Sequence, residues 1–290
     1  MQMLGTRNPA GSLPENQRAA LISLLADDDP AVYQLVRSKL LSYGEIACEW
    51  LRPQALSSDP KMRRRVQEIL SLHARRKSDA AFLEYCRRSG EELDLEEASG
   101  LLAQTRYPET NRAAYSALFD AWTETIRSRL KPRGTVEETL GTINQFLFEE
   151  LKFSGSDQVG YLPDCCYLNR IVDERSGNPI GLCAIYLFIA RRLRLPVVGI
   201  GLPGHFVCRF QSATGELFID CFRKGLFLSK ADCVKYLLDV SYGTAEGGLS
   251  PFTPKRILHR MCNNLVVTYG HLEMTEDAAR AQRYVAALVR

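Results

Sequence analysis

The chain has only four histidines and two tryptophans among 290 residues, and nowhere two cysteines spaced C-x-x-C. Without that spacing, and with no histidine at ligand distance from a cysteine pair, a structural zinc module is excluded. Charge of one sign is also lacking, since 37 Lys and Arg stand against 34 Asp and Glu. A nucleic-acid-binding domain is marked by strong basicity, so no nucleic-acid partner is expected. The longest apolar run, Ile180 to Ala190, stops at Arg191, about half of the roughly twenty residues a membrane helix needs. No Gly-rich phosphate loop occurs, which leaves nucleotide chemistry unsupported. The opening stretch, Met1 to Arg18, has no apolar leader core, so an intracellular, cytoplasmic chain is expected.

What is present describes a globular protein, with 46% hydrophobic and 24% charged residues. The length allows one large domain or two modest ones. Nine cysteines are scattered and odd in number. In a reducing compartment most are small apolar core residues.

The first half reads as short helices. Apolar residues recur near helical spacing in Asn16 to Leu25, Val32 to Leu41, Ile46 to Leu51, Lys61 to His73 and Ala80 to Arg88. Pro30 fits the first position of a helix. Leu95 to Gln104, Thr110 to Leu130 and Gly134 to Phe148 continue the pattern. Residues 1–90 therefore form a helical region, either HEAT-like hairpins or an irregular bundle. Tyr167 to Glu174 reads as a further helix, ended by Gly177-Asn178-Pro179.

The character changes from there. Ile180 to Leu195 is a strongly apolar helix closed by Pro196. Strands are predicted at Val197 to Leu202, His205 to Phe210 and Glu216 to Cys221, with Gln211 to Thr214 as a hairpin loop. A Gly-rich loop, Gly243 to Gly248, leads to helices at Pro254 to Tyr269 and Thr275 to Val289. The class is α+β, a small antiparallel sheet set late in a helical chain. Residues 91–245 form its core and 246–290 a tetratricopeptide-like helical hairpin.

Chemistry concentrates in that core. Cys183 lies near the start of the apolar helix, where the dipole and unpaired N–H groups favour a thiolate. The same terminus would stabilise an oxyanion, which makes Asn178 and Gly181 candidates for that contact. His205 opens a strand and Asp220 closes the next. Pairing the strands so that residue numbers sum to 425 sets His205 opposite Asp220 on one face. A carboxylate-held imidazole is what a cysteine nucleophile needs. Arg209, on the same strand face as His205, is a candidate for a substrate carboxylate.

Gly181-Leu182-Cys183, Pro203-Gly204-His205 and Phe218-Ile219-Asp220 resemble the transglutaminase-like (papain-like) core. More closely, Gly177-Asn178-Pro179-Ile180, Leu202-Pro203-Gly204-His205-Phe206 and the late Arg260-Met261-x-Asn263-Asn264 block resemble the SirB-type bacterial branch, over most of residues 90–290. The resemblance implies Cys183, His205 and Asp220 as nucleophile, base and orienting acid. Residues 165 and 166 depart from the branch: Cys-Cys stands here where Asn-Ser is usual. Two readings follow. One is a cysteine-dependent amide acyl transfer or hydrolysis, needing no cofactor or metal, on a protein or peptide. The other is an inactive transglutaminase-like scaffold that binds a protein partner.

Overall fold

A computed structural model describes residues 13–212, 215–240 and 248–289. The chain divides into two units, residues 1–80 and 81–290. The first is helical: α1 (Glu15–Ser23), α2 (Pro30–Ser42), α3 (Glu45–Leu51) and the start of α4 (Pro60–Arg88). Asp29 caps α2 by accepting from Ala31 N–H, with Pro30 in the first turn as its fixed φ favours. Leu25, Val36, Leu40, Leu51, Val66 and Ile69 form this unit's own core. The expected break between Lys61–His73 and Ala80–Arg88 is absent. Neither Gly nor Pro interrupts residues 73–80, so α4 runs on as one helix.

The second unit begins with the rest of α4 and continues through α5 (Leu95–Arg106), α6 (Arg112–Arg129) and α7 (Val136–Asn144), the last opened by a Thr135–Glu138 capping box. A single π-helical turn follows at Gln145–Glu150. Two short strands, β1 (Ser154–Gly155) and β2 (Ser176–Gly177), pair in parallel on either side of α8 (Leu168–Glu174). Next come α9 (Pro179–Arg192), β3 (Val197–Leu202), β4 (His205–Ser212), β5 (Gly215–Asp220) and β6 (Leu226–Leu228). The chain closes with α10 (Lys230–Val240), β7 (Pro251–Phe252), α11 (Pro254–His271) and α12 (Thr275–Val289). The elements β1, β2, β6, α10 and β7 add to the predicted set. Of the Gly-rich loop, residues 243–247 lie outside the described residues.

The sheet is antiparallel, in the order β6-β5-β4-β3-β7. Its period-2 alternation gives it two different faces. Phe206, Cys208, Phe210 and Ile219 join the main core together with Leu182, Ile185 and Ile189 of α9. Ile200, Leu202, Val207 and Phe218 turn the other way and pack with Cys233 and Leu237 of α10. The sheet thus lies between α9 and α10. Helices α11 and α12 share the main core through Leu258, Leu265, Tyr269 and Tyr284.

The predicted hairpin register is corrected by two residues. Strand β4 runs on to Ser212, which pairs with Gly215, and Arg209 pairs with Phe218, so partners sum to 427 rather than 425. The predicted loop ended β4 too early. A two-residue shift preserves which face each side chain takes, so His205 and Asp220 remain on one face as diagonal neighbours.

Glycines in β3 let aromatic rings lie close against the strand. A Cβ on Gly201 would stand 2.3 Å from the Phe252 ring. Gly201→Ala is expected to displace that ring and destabilise the chain by about 1–3 kcal/mol, read as a lower urea midpoint. An unchanged midpoint would show that β7 yields without cost.

Candidate functional site

The β3–β4 hairpin turns through Pro203-Gly204, Leu202 pairing with His205. Gly204 takes φ +66°, and proline followed by a positive-φ glycine is the pattern of a type II turn. The Tyr236 hydroxyl of α10 donates to the Pro203 carbonyl at 2.9 Å. This braced turn sets His205 at the first position of β4. Its Nε2 lies 2.9 Å from Asp220 Oδ2. Edge-on Phe222 and tilted Tyr236 flank the imidazole, at 5.9 and 6.1 Å between ring centres.

Asp220 is 1% exposed. A buried carboxylate needs partners, and it has them: Oδ2 meets His205, while Oδ1 accepts from the Phe222 and Arg223 N–H groups, both at 3.1 Å. Holding Nε2 against the acid leaves Nδ1 as the nitrogen free to meet another group.

His205 lines a cavity of about 150 Å³. Asn178 and Ile180 from the start of α9 share its wall with Arg260, Asn264 and Thr268 from α11, and Cys166 borders it. The α11 residues carry no role in the sequence reading. Their i, i+4, i+8 spacing puts them on one helical face, which is the signal that would have found them. Among the described residues Arg260 makes no ion pair; its guanidinium donates to the Leu202 carbonyl at 3.3 Å.

Cys183 does not share this setting. It is the fifth residue of α9, counting from Pro179, one turn below the unpaired N–H groups and outside the reach of the dipole, which fades within the first turn. It is fully buried. Its Sγ donates to the Phe206 carbonyl at 3.5 Å, and the neighbouring thiols are Cys208 and Cys221. Those two cysteines project from the α9 face of the sheet, whereas alternation directs His205 and Asp220 to the α10 face. Burial pushes the Cys183 thiol well above its ordinary value, opposite to the thiolate expected at a helix terminus. The expectation is corrected for a physical reason: desolvation penalises the charged form more than a distant helix end helps it.

The oxyanion and substrate candidates are also engaged. Asn178 caps α9 through Oδ1, which accepts from Gly181 N–H at 2.8 Å, and its Nδ2 donates to Cys166 Sγ at 3.2 Å. The Gly181 N–H is thereby spent on the cap. Arg209 donates to the Leu249 carbonyl at 3.2 Å, lies 3.9 Å from Glu216, and stacks over the Phe218 ring. Cys166 borders the cavity, but burial lifts its thiol to about 12.

A five-stranded sheet beneath an apolar helix, with a histidine opening one strand and an acid closing the next, is a transglutaminase-like arrangement. The family model described as the transglutaminase-like superfamily matches residues 113–263, and the chain belongs to that superfamily. It is 30% identical over 205 residues to a UPF0162 protein of Xylella fastidiosa, covering 69% of this chain and 73% of that one. Protein SirB1 of Salmonella typhimurium is 32% identical over 83 residues, 29% of this chain and 31% of its own. Human F-box only protein 21 is 32% identical over 137 residues, 44% of this chain and 21% of that protein. No solved structure matches the chain.

Asp220→Ala would leave the Phe222 and Arg223 N–H groups and the imidazole unsatisfied. A loss of about 2–3 kcal/mol is expected, with Asp220→Asn milder because an amide oxygen still accepts. Urea unfolding of both variants tests this, and equal stability of Asp220→Ala and the parent would refute it.

Proposed function

We propose that the chain is a transglutaminase-like scaffold that binds a peptide segment of a protein partner at the His205 cavity, without acylating a thiol. One observation carries this reading: the Cys183 sulfur is fully buried and hydrogen-bonded to the Phe206 carbonyl, and it is not among the residues that line the His205 cavity. A nucleophile must stand within hydrogen-bond reach of its base. Cys183 meets a carbonyl instead, and its raised pKa removes the thiolate.

The cavity itself suits recognition. His205 is held rigid by Asp220, the Arg260 guanidinium supplies a cation, and Asn264 and Thr268 supply amide and hydroxyl groups. A few polar groups converging on an otherwise apolar hollow fix the orientation of a ligand. The matching segment in F-box only protein 21 occupies about a fifth of that protein, which agrees with a module that serves within larger chains.

The second reading is amide acyl transfer by Cys183, His205 and Asp220. The 2.9 Å histidine–aspartate contact favours it, since that pair is the part of the triad that orients a base. It requires Cys183 to leave the core.

Intact mass spectrometry after incubation with a glutamine-containing peptide and a primary amine separates the two. The scaffold reading expects no thioester mass and no released ammonia. It also expects peptides selected on the full chain to bind Cys183→Ala as they bind the parent, and His205→Ala/Arg260→Ala at least tenfold more weakly. An acyl adduct on Cys183 that disappears in His205→Ala would overturn it. Iodoacetamide labelling gives a second check: native Cys183 should label only as fast as the chain unfolds.

A further inference from the structure

Three thiols meet in the core between α9 and the sheet. The sulfurs of Cys183, Cys208 and Cys221 all lie within 4.8 Å of one another, and the Cys208–Cys221 separation is 4.0 Å. They come from three elements. Cys183 projects from α9, Cys208 lies within β4, and Cys221 follows the last residue of β5. All three are 0% exposed.

A second, independent feature marks the same spot. The Tyr186 hydroxyl is buried and has no hydrogen-bond partner among the described residues. Tyr186 stands three residues after Cys183 on α9, hence on the same helical face. Burial acts on it most, and the neighbouring groups that follow are Cys221, Cys208 and Cys183. A buried hydroxyl without a partner is costly and calls for an explanation. Here it faces a cluster of soft donors.

We propose that Cys183, Cys208 and Cys221 form a buried, trigonal, all-sulfur site for a soft monovalent d10 cation of the copper(I) class. The spacing suits such an ion. An ion about 2.3 Å from each of three coplanar sulfurs holds them about 4.0 Å apart, which matches the Cys208–Cys221 separation and lies inside the 4.8 Å limit on the other two. Soft sulfur donors select copper(I) over harder cations. Zinc in a structural site takes four ligands, and the cluster offers three sulfurs with only a phenol beside them.

Loading replaces thiol protons by one cation: as each S–H bond breaks, its proton leaves for solvent and a sulfur–metal bond forms. No electron is transferred. The Tyr186 hydroxyl would then donate to a metal-bound sulfur.

This site does not depend on the scaffold reading, and its test uses other observables. The full chain is produced anaerobically with copper supplied, then challenged with a copper(I) chelator. Elemental analysis should find about one copper per chain retained. Cys208→Ser and Cys221→Ser should lose it, while Cys165→Ser keeps it. Copper X-ray absorption of the parent provides a check free of folding effects: a single shell of three sulfurs is expected. No retained copper, a shell of oxygen or nitrogen, or zinc held in preference to copper would each overturn the assignment.

Discussion

A carboxylate shut away from water must be satisfied from several directions at once, and the architecture around Asp220 does this. Its two oxygens gather the imidazole from β4 and the two backbone N–H groups that follow β5. The end of one strand, the start of another and the turn between β5 and β6 are thereby tied at one point. Each bond contributes only about 1–3 kcal/mol, but the penalty for an unpaired buried charge is larger. The carboxylate therefore dictates local geometry rather than adapting to it, and the orientation of His205 follows.

The apolar helix α9 sets the second constraint. It is buried along nearly its whole length, from Ile180 to Ala190, and its polar ends fix how it lies. Asn178 closes the N-terminus. At the other end Arg192 bonds to Glu96 and Asp120 and Arg191 to Asp94 and Glu96, where cations also suit the dipole. With both ends anchored, the helix cannot slide by a turn to lift Cys183 to the rim. The same anchoring keeps Cys183 beneath the sheet with Cys208 and Cys221.

Much of this was legible in the residues. Val197–Leu202 is the strand expected from its β-branched run, and Pro203-Gly204 is the turn. The hairpin register was two residues out because a polar stretch read as loop continues the ladder to Ser212. Parity survived that error, which is why the His205–Asp220 contact could be anticipated. The depth of Cys183 could not. Sequence periodicity says that α9 has an apolar face, but not which face of the sheet receives it, and that choice separates the thiol from the imidazole. The α11 contribution was hidden for a related reason: residues more than fifty positions beyond His205 reach the cavity only through tertiary packing.

The phenol of Tyr236 joins two things that chain order keeps apart. By gripping the Pro203 carbonyl it couples α10 mechanically to the bend that carries His205. A tilt of α10 would pull on that bend while Asp220 holds the imidazole in place, so displacement on the outer side of the sheet would load the histidine–aspartate contact. The histidine is thus mounted on a lever whose handle lies on the opposite face from the cysteines.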